Sequence, residues 1–258
     1  MVVRWPDDVA IPGPEQIRAW SHRRTGVGFD QLLMLGPPRD AATRASLQIM
    51  NADGSQAEQC GNGIRCIARF LAESAEEDFV IGTVAGPIAV RVHEDGNVSA
   101  NFGEPRFDPE SLPFLAESSA LRYQLNLNAG EVEFGIASMG NPHAVIAVDS
   151  VTSAPVSILG PEIEQHPSFP QGVNVGFMQR VAADAIRLRV FERGAGETLA
   201  CGTGAAAAVA VGRLWGILDS RVAVALPGGA LEVEWQGPGS DLWQTGPTEQ
   251  VYEARIRV

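Results

Sequence analysis

The sequence predicts an α+β fold of two similar, pseudo-symmetric domains, each a curved β-sheet or barrel around a central α-helix. The first observation is a duplication. Residues 47–63 and 188–204 are copies of one motif at a constant offset of 141, pairing Leu47 with Leu188, Ile49 with Val190, Asn51 with Glu192, Cys60 with Cys201 and Gly63 with Gly204. Each copy reads as a strand, a polar loop and a Cys-Gly-x-Gly run that opens a helix. The second observation is that the offset divides the 258-residue chain nearly in half, in keeping with a prior of roughly 150 residues per domain. The third is that short strands with turn signals surround one helix per copy. Duplicated halves can face each other across a pseudo-two-fold axis, which would bring two thiols to opposite sides of one cleft.

The elements follow in order. Residues 14–24 predict a helix: Pro14 suits the first turn, where its missing N–H is no loss, and Ile17, Trp20 and Ser21 share a face. A glycine-rich turn at 25–31 leads into a strand at 32–35. Residues 45–50 alternate as a strand does, and the helix opened at Cys60 continues through 64–73. Strands at 84–92 and 98–102 join at Asp95, Gly96 and Asn97, a turn signal. The polar, proline-rich stretch 103–113 marks a boundary. It puts the first domain at 1–105, with a C-terminal strand at 248–258 packing back on it, and the second at 106–247. In the second domain, strands at 132–138 and 144–148 flank the Gly140-Asn141-Pro142-His143 turn, and a strand at 185–191 precedes the second motif. Residues 205–218 form an alanine-rich helix whose small side chains predict close packing on every side. Strands at 222–226 and 230–235 flank Pro227, Gly228 and Gly229, which resemble the turn at Ala85, Gly86 and Pro87. Residues 250–258 alternate as a last strand.

Composition narrows the function. A net charge of −12 with 19 Lys and Arg argues against a phosphate-backbone partner and against an anionic membrane surface. No apolar stretch is long enough to span a bilayer. The leading residues lack the basic-then-apolar order of a signal peptide, so a cytoplasmic chain is expected. Three cysteines are too few for a disulfide scaffold, which leaves them catalytic, metal-binding or buried. Cys60 and Cys66 lack Cys-x-x-Cys spacing, and His22, His93, His143 and His166 are scattered, so no metal is expected.

The chemistry gathers at the repeated turns. A thiol at a helix N-terminus feels the positive end of the helix dipole, which lowers its pKa below about 8.5. The glycines beside Cys60 and Cys201 let a ligand approach the backbone, and the N–H groups of the first turn can cradle a carboxylate. A pair of thiols on opposite sides of one cleft meets the need of a reaction that carries a proton from one face of a carbon to the other. Cys66 has only Ala207 as its counterpart and is expected to pack. Asn51 and Glu192 share a repeat position, and Arg193 can hold a carboxylate bidentately. Asn141 and His143 lie in one turn, and Asn174 lies in a glycine-rich turn that echoes the one before Gln31. Singly, each of these could equally satisfy turn backbone.

The run Asn51-Ala-Asp-Gly-Ser through Cys60-Gly-Asn-Gly to Cys66, and the run Glu192-Arg-Gly-x-Gly-Glu-Thr through Cys201-Gly-Thr-Gly, resemble the two signatures of the diaminopimelate epimerase family. Gly140 to His143 and Gly26 to Gln31 also match, so the likeness runs from about residue 24 to 230. The resemblance implies interconversion of LL- and meso-diaminopimelate, a step of lysine and peptidoglycan precursor biosynthesis, with no pyridoxal phosphate, no metal and no other cofactor. It implies a homodimer. It implies that Cys60 and Cys201 flank the substrate α-carbon as thiolate base and thiol acid, exchanging roles with direction. It places Gln31, Asn51, Gly61, Asn62, Asn141, His143, Asn174, Glu192, Arg193, Gly202 and Thr203 around the substrate. One feature departs: family members begin with a strand ending in Gly-Leu-Gly-Asn-Asp-Phe, which is missing here. The repeat agrees, because the counterpart of Asn141 falls just before Met1 and that of the strand at 144–148 falls on Met1, Val2 and Val3. A chain short of that segment is expected to be a weaker epimerase. Proline and hydroxyproline racemases share paired cysteines but differ around them. A thiol redox protein would show Cys-x-x-Cys, and a ligand-binding protein without activity is a third reading.

Overall fold

The computed structural model describes residues 1–6, 9–57, 61–128 and 130–255. The chain divides into two units, Met1–Ala100 with Pro247–Val258, and Asn101–Gly246.

The first unit contains β1 (Val2–Arg4), α1 (Pro14–Ser21), β2 (Gln31–Gly36), β3 (Ala45–Asn51), β4 (Gln56–Ala57), α2 (Gly61–Leu71), β5 (Glu77–Thr83), β6 (Gly86–Val92) and β7 (Val98–Asn101). Its sheet runs β1-β2-β3-β5-β6-β7, with β4 beside β3. Two neighbours are parallel, β1 with β2 and β3 with β5, and the others are antiparallel. Leu32 and Met34 of β2 pack with Ile17 of α1 and with Phe29, while Leu33 and Leu35 are buried on the other face. Burial on both faces explains why β2 reads as a continuous apolar run instead of an alternation. The glycine-rich turn closes α1, because Val27 and Gly28 both donate their N–H to the Trp20 carbonyl. Gly26 lies so close that a Cβ would sit 2.5 Å from that oxygen, a position only glycine can hold.

The second unit contains β8 (Tyr123–Leu127), β9 (Gly130–Ser138), β10 (Pro142–Ala147), α3 (Val156–Glu164), β11 (Asn174–Ala182), β12 (Ala185–Glu192), β13 (Gly196–Thr198), α4 (Gly202–Leu214), β14 (Arg221–Leu226), β15 (Gly229–Glu234) and β16 (Trp243–Gly246). Its sheet runs β16-β15-β14-β12-β11-β10-β9-β8, with β13 beside β12. Here too β10 runs parallel to β11 and β12 parallel to β14. Element for element, β10 to β16 repeats β1 to β7, with α3 in the place of α1 and α4 in that of α2. The register extends the match: Val2 pairs with Leu33 as Val145 pairs with Gly176, so Met1 occupies the position of Ala144.

The sheet of the second unit curves around α4, which packs against β9, β10, β11, β12 and β15. Eleven of its residues, from Gly202 to Gly212, are buried, as the run of small side chains predicts. Ile186, Leu188 and Val190 of β12 and Trp235 complete this core. On the opposite face, Val156, Leu159 and Ile163 of α3 pack with Phe134, Phe169 and Phe177 in a second core. Close approach has a cost in tolerance. A Cβ on Gly135 would lie 2.6 Å from Val211 Cγ1 and 2.9 Å from Trp215 Cζ2. Gly135→Val should therefore cost roughly 1–3 kcal/mol through overpacking, read as a fall in the thermal midpoint. An unchanged midpoint would show that α4 has room to move.

Several elements depart from the sequence reading. The helix α1 ends at Ser21, since Thr25 and Arg24 donate backbone N–H groups to His22 Nδ1 instead of continuing it. The strand expected at 84–92 is present as β6, and β5, absent from the sequence reading, pairs with it in a hairpin turned at Thr83–Gly86 with Thr83 Oγ1 donating to the Gly86 carbonyl. Residues 250–255 form no strand: Val251 and Tyr252 are 84% and 62% exposed, with no neighbouring strand to hold them. Residues 256–258 of that expected strand lie outside the described residues. Residues 101–106 are tied to the second unit, through the Phe102 N–H to the Leu242 carbonyl and the Arg106–Ser138 bridge.

Candidate active site

Strand register collects polar side chains at one end of the second unit's sheet. His143 of β10 pairs with Asn174 of β11. Asn174 lies one step beyond the Val175–Phe191 pair, and so meets Glu192 at the end of β12. The first unit has the matching corner, where Gln31 of β2 pairs with Asn51 of β3. There Gln31 Nε2 donates to Asn51 Oδ1 at 3.1 Å, and Asn51 Nδ2 donates to Ser55 Oγ at 3.0 Å.

Cys201 is the N-cap of α4, in extended conformation, with its sulfur accepting the Gly204 N–H at 3.4 Å. Thr203 Oγ1 lies 3.6 Å from the same sulfur. A Cβ on Gly204 would press to 3.0 Å on Val190 Cγ2 and 3.2 Å on the sulfur, so both side chains would have to give. The N–H groups of Gly202 and Thr203 belong to the first helical turn, whose donors have no intrahelical partner. The Gly202 carbonyl is held by Gln244 Nε2 at 2.7 Å.

The electrostatics of Cys201 differ from the expectation of a lowered pKa. The thiol is pushed up to about 12, first by burial and then by the Glu192 carboxylate beside it. The Thr203 hydroxyl and the Gly204 N–H pull the other way without prevailing. Loss of water disfavours the thiolate by more than one helix terminus can restore. Cys201 in the free protein is therefore a thiol. Its alkylation by iodoacetamide should accelerate steadily from pH 7 to beyond pH 10, and Glu192→Gln should raise the rate at pH 8 severalfold. A plateau at or below pH 9, or no response to Glu192→Gln, would overturn this assignment.

The neighbouring side chains are held from several sides. Glu192 accepts the Thr198 hydroxyl. Asn174 is buried, donating to the Pro142 carbonyl at 2.9 Å and accepting the Arg193 N–H at 3.0 Å. The Arg193 guanidinium is exposed and donates to the Gln171 carbonyl at 3.1 Å, while Gly194 N–H donates to Glu164 at 2.6 Å. His143 is wholly buried, and burial followed by the Arg193 cation pushes its pKa down to about 3, so the ring is neutral. Its Nε2 lies 3.0 Å from Asn141 Oδ1.

Gly61 and Asn62 open α2 in the first unit. The buried Arg65 donates to Asn62 Oδ1 at 2.7 Å and to the Gly61 carbonyl at 3.4 Å. Cys60 lies outside the described residues, directly before Gly61 in the chain. Cys66 is half-buried in α2, as packing predicts. In the second unit, Asn141, Thr203 and Glu192 connect to Cys201 directly or through one another, with His143 on Asn141 and Asn174 on the Arg193 backbone; in the first, Gln31 meets Asn51, and Gly61 and Asn62 open α2. Thr198, Arg65 and Gln244 were not foreseen. The first two stand inside the quoted signatures, where a buried partner for Glu192 and for Asn62 could have been sought; Gln244 carries no local signal. Among the described residues, no three His, Cys, Asp or Glu side chains cluster as metal ligands, and no helix is long and apolar enough to cross a membrane.

Comparison with known proteins shows the fold and the family. A hydroxyproline epimerase from Agrobacterium vitis superposes with a TM-score of 0.65 at 20% identity, covering 90% of this chain and 77% of that one. A predicted epimerase from Pseudomonas aeruginosa superposes at 0.64 with 14% identity, covering 98% and 93%. These likenesses show the fold, a two-domain α+β epimerase fold. Among sequences, the diaminopimelate epimerase of Alkalilimnicola ehrlichii is 52% identical over 252 residues, covering 96% of this chain and 90% of that protein. That of Chromobacterium violaceum is 51% identical over 248 residues, covering 95% and 90%. The family model described as diaminopimelate epimerase matches residues 3–107 and 135–251. With both signatures in place and most of the chain matched, the protein belongs to the diaminopimelate epimerase family.

Proposed function

We propose that the protein interconverts LL- and meso-diaminopimelate through Cys60 and Cys201, without pyridoxal phosphate or metal. The observation that carries this reading is the buried Cys201 thiol at the N-cap of α4, between the first-turn donors and Glu192. One sulfur, as thiolate, takes the α-proton: its lone pair forms the S–H bond, and the C–H electrons pass into the α-carboxylate. The other sulfur, as thiol, delivers its proton to the opposite face and becomes the thiolate. The configuration is inverted and the two sulfurs have exchanged states. Which sulfur acts as base and which as acid is exchanged with the direction of the reaction.

The α-proton of an amino acid is very weakly acidic, so the developing charge needs donors fixed in advance. The first-turn N–H groups of Gly202 and Thr203 serve that role, with those of Gly61 and Asn62. Gln31, Asn51, Asn141, His143, Asn174, Glu192 and Arg193 surround the rest of the substrate, with Arg193 taking a carboxylate. The net negative charge is no obstacle, since the substrate carries two ammonium and two carboxylate groups. Incubation with LL-diaminopimelate, with L-proline and with hydroxyproline, followed by chiral chromatography, tests the reading. Turnover of diaminopimelate alone is expected; turnover of the prolines alone would replace it with the racemase reading. Activity should survive dialysis against EDTA and treatment with hydroxylamine, which strips pyridoxal phosphate. We also propose a homodimer, which sedimentation would show as twice the 27.4 kDa chain mass.

A further inference from the structure

A run of hydrogen bonds ends on the Cys201 sulfur, and the orientation of the Asn141 amide sets its polarity. His143 Nε2 lies 3.0 Å from Asn141 Oδ1. An amide oxygen only accepts, so Nε2 carries the proton of the neutral ring. The other side of the same amide, Nδ2, donates to Thr203 Oγ1 at 3.2 Å. With that lone pair occupied, the Thr203 hydroxyl is free to turn its own proton toward the sulfur 3.6 Å away. The Gly204 N–H already points there at 3.4 Å. On the other side stands the Glu192 carboxylate, which can accept from a thiol S–H and can give nothing to a thiolate.

The sulfur thus has one set of partners for each protonation state. We propose that Thr203 is a positioning residue whose hydroxyl receives the Cys201 sulfur when it becomes a thiolate, and that Asn141, oriented by buried His143, fixes the direction of that hydroxyl. The hydroxyl keeps its proton throughout; only the S–H bond forms and breaks. The inference rests on Cys201 being one of the two thiols of the proposed reaction. The first unit supplies an independent parallel. Its matched residue, Asn62, is likewise oriented by a second side chain, the buried Arg65 at 2.7 Å. In both units the residue two places after the cysteine is gripped through its side chain.

The titratable and charged groups facing this turn are Glu192 at the end of β12, His143 on β10 and Arg193 beyond β12. β11 and β16 bring the neutral amides Asn174 and Gln244. Thr203→Val removes the hydroxyl at nearly constant volume, and Thr203→Ser keeps it. In the full chain, iodoacetamide labelling of Cys201 would be followed against pH, with the Cys201 peptide quantified by mass spectrometry. Thr203→Val is expected to slow labelling at pH 9 roughly tenfold, the size of a hydrogen bond to a charged group, and to move the profile upward. Thr203→Ser should restore the wild-type profile, and Asn141→Ala should fall between. In turnover, kcat should fall with KM unchanged in the direction that uses Cys201 as base. A Thr203→Val profile that overlays the wild type, or a Thr203→Ser variant as impaired as Thr203→Val, would overturn the proposal. Absence of diaminopimelate turnover in the wild type would instead overturn the proposed reaction, because labelling reads the sulfur without substrate.

Discussion

Cys201→Ser should lower epimerisation of LL-diaminopimelate by about 10²–10⁴-fold, the usual contribution of a positioned acid or base. A serine hydroxyl at this site is a far poorer proton donor and base than a thiol. The fold should be unaffected, because serine is a favoured N-cap and its oxygen can accept the Gly204 N–H that the sulfur now accepts. An unchanged thermal midpoint beside lost turnover would separate chemistry from stability. Cys60→Ser should lose activity to a similar extent. Wild-type turnover in either variant would exclude two thiols as the acid and base.

Trp235→Ala should produce the largest loss of stability. Its side chain is fully buried in the core around α4. Its ring lies 5.6 Å from that of Phe107, and its Nε1 donates to the Ser240 carbonyl at 3.0 Å. Truncation removes the apolar burial, leaves a cavity and orphans that carbonyl. Together these cost roughly 3–5 kcal/mol, a fall in thermal midpoint on the order of 10 °C. A loss under 1 kcal/mol in denaturant titration would mean the core around α4 closes over the gap.

Much of this architecture is legible in the chain because the duplication samples each element twice. The strand–loop–Cys-Gly-x-Gly–helix run reads from residue types alone, and the alanines of α4 read as burial on every side. The 141-residue offset of the motifs places Met1 opposite Pro142, whereas the register of β1 on β2 sets it opposite Ala144, two residues further on. What escaped reading lacks a local signal. The helix α3 carries Pro161 in its interior and no side-chain cap, so it draws its stability from Val156, Leu159 and Ile163 packing on the sheet. β11 reads poorly because its first five residues are all buried and its last three exposed, which erases the alternation. Conversely, residues 250–255 alternate but find no partner strand, and alternation without a partner is not a strand. At the site, residue types do not reveal the sign of the Cys201 pKa shift. The helix dipole is visible in sequence; the burial of the sulfur and the approach of Glu192 are not.

The proposed two-thiol inversion is tested most directly by the hydrogen on the product. LL-diaminopimelate carrying ordinary hydrogen would be converted in deuterated water, and both isomers recovered after a few per cent of reaction. Two thiols acting on opposite faces predict meso product with solvent deuterium at the inverted carbon, while the unreacted LL pool keeps its hydrogen. Product that retains the substrate's own hydrogen would contradict the account, since it would mean that a single group removes the proton and returns it.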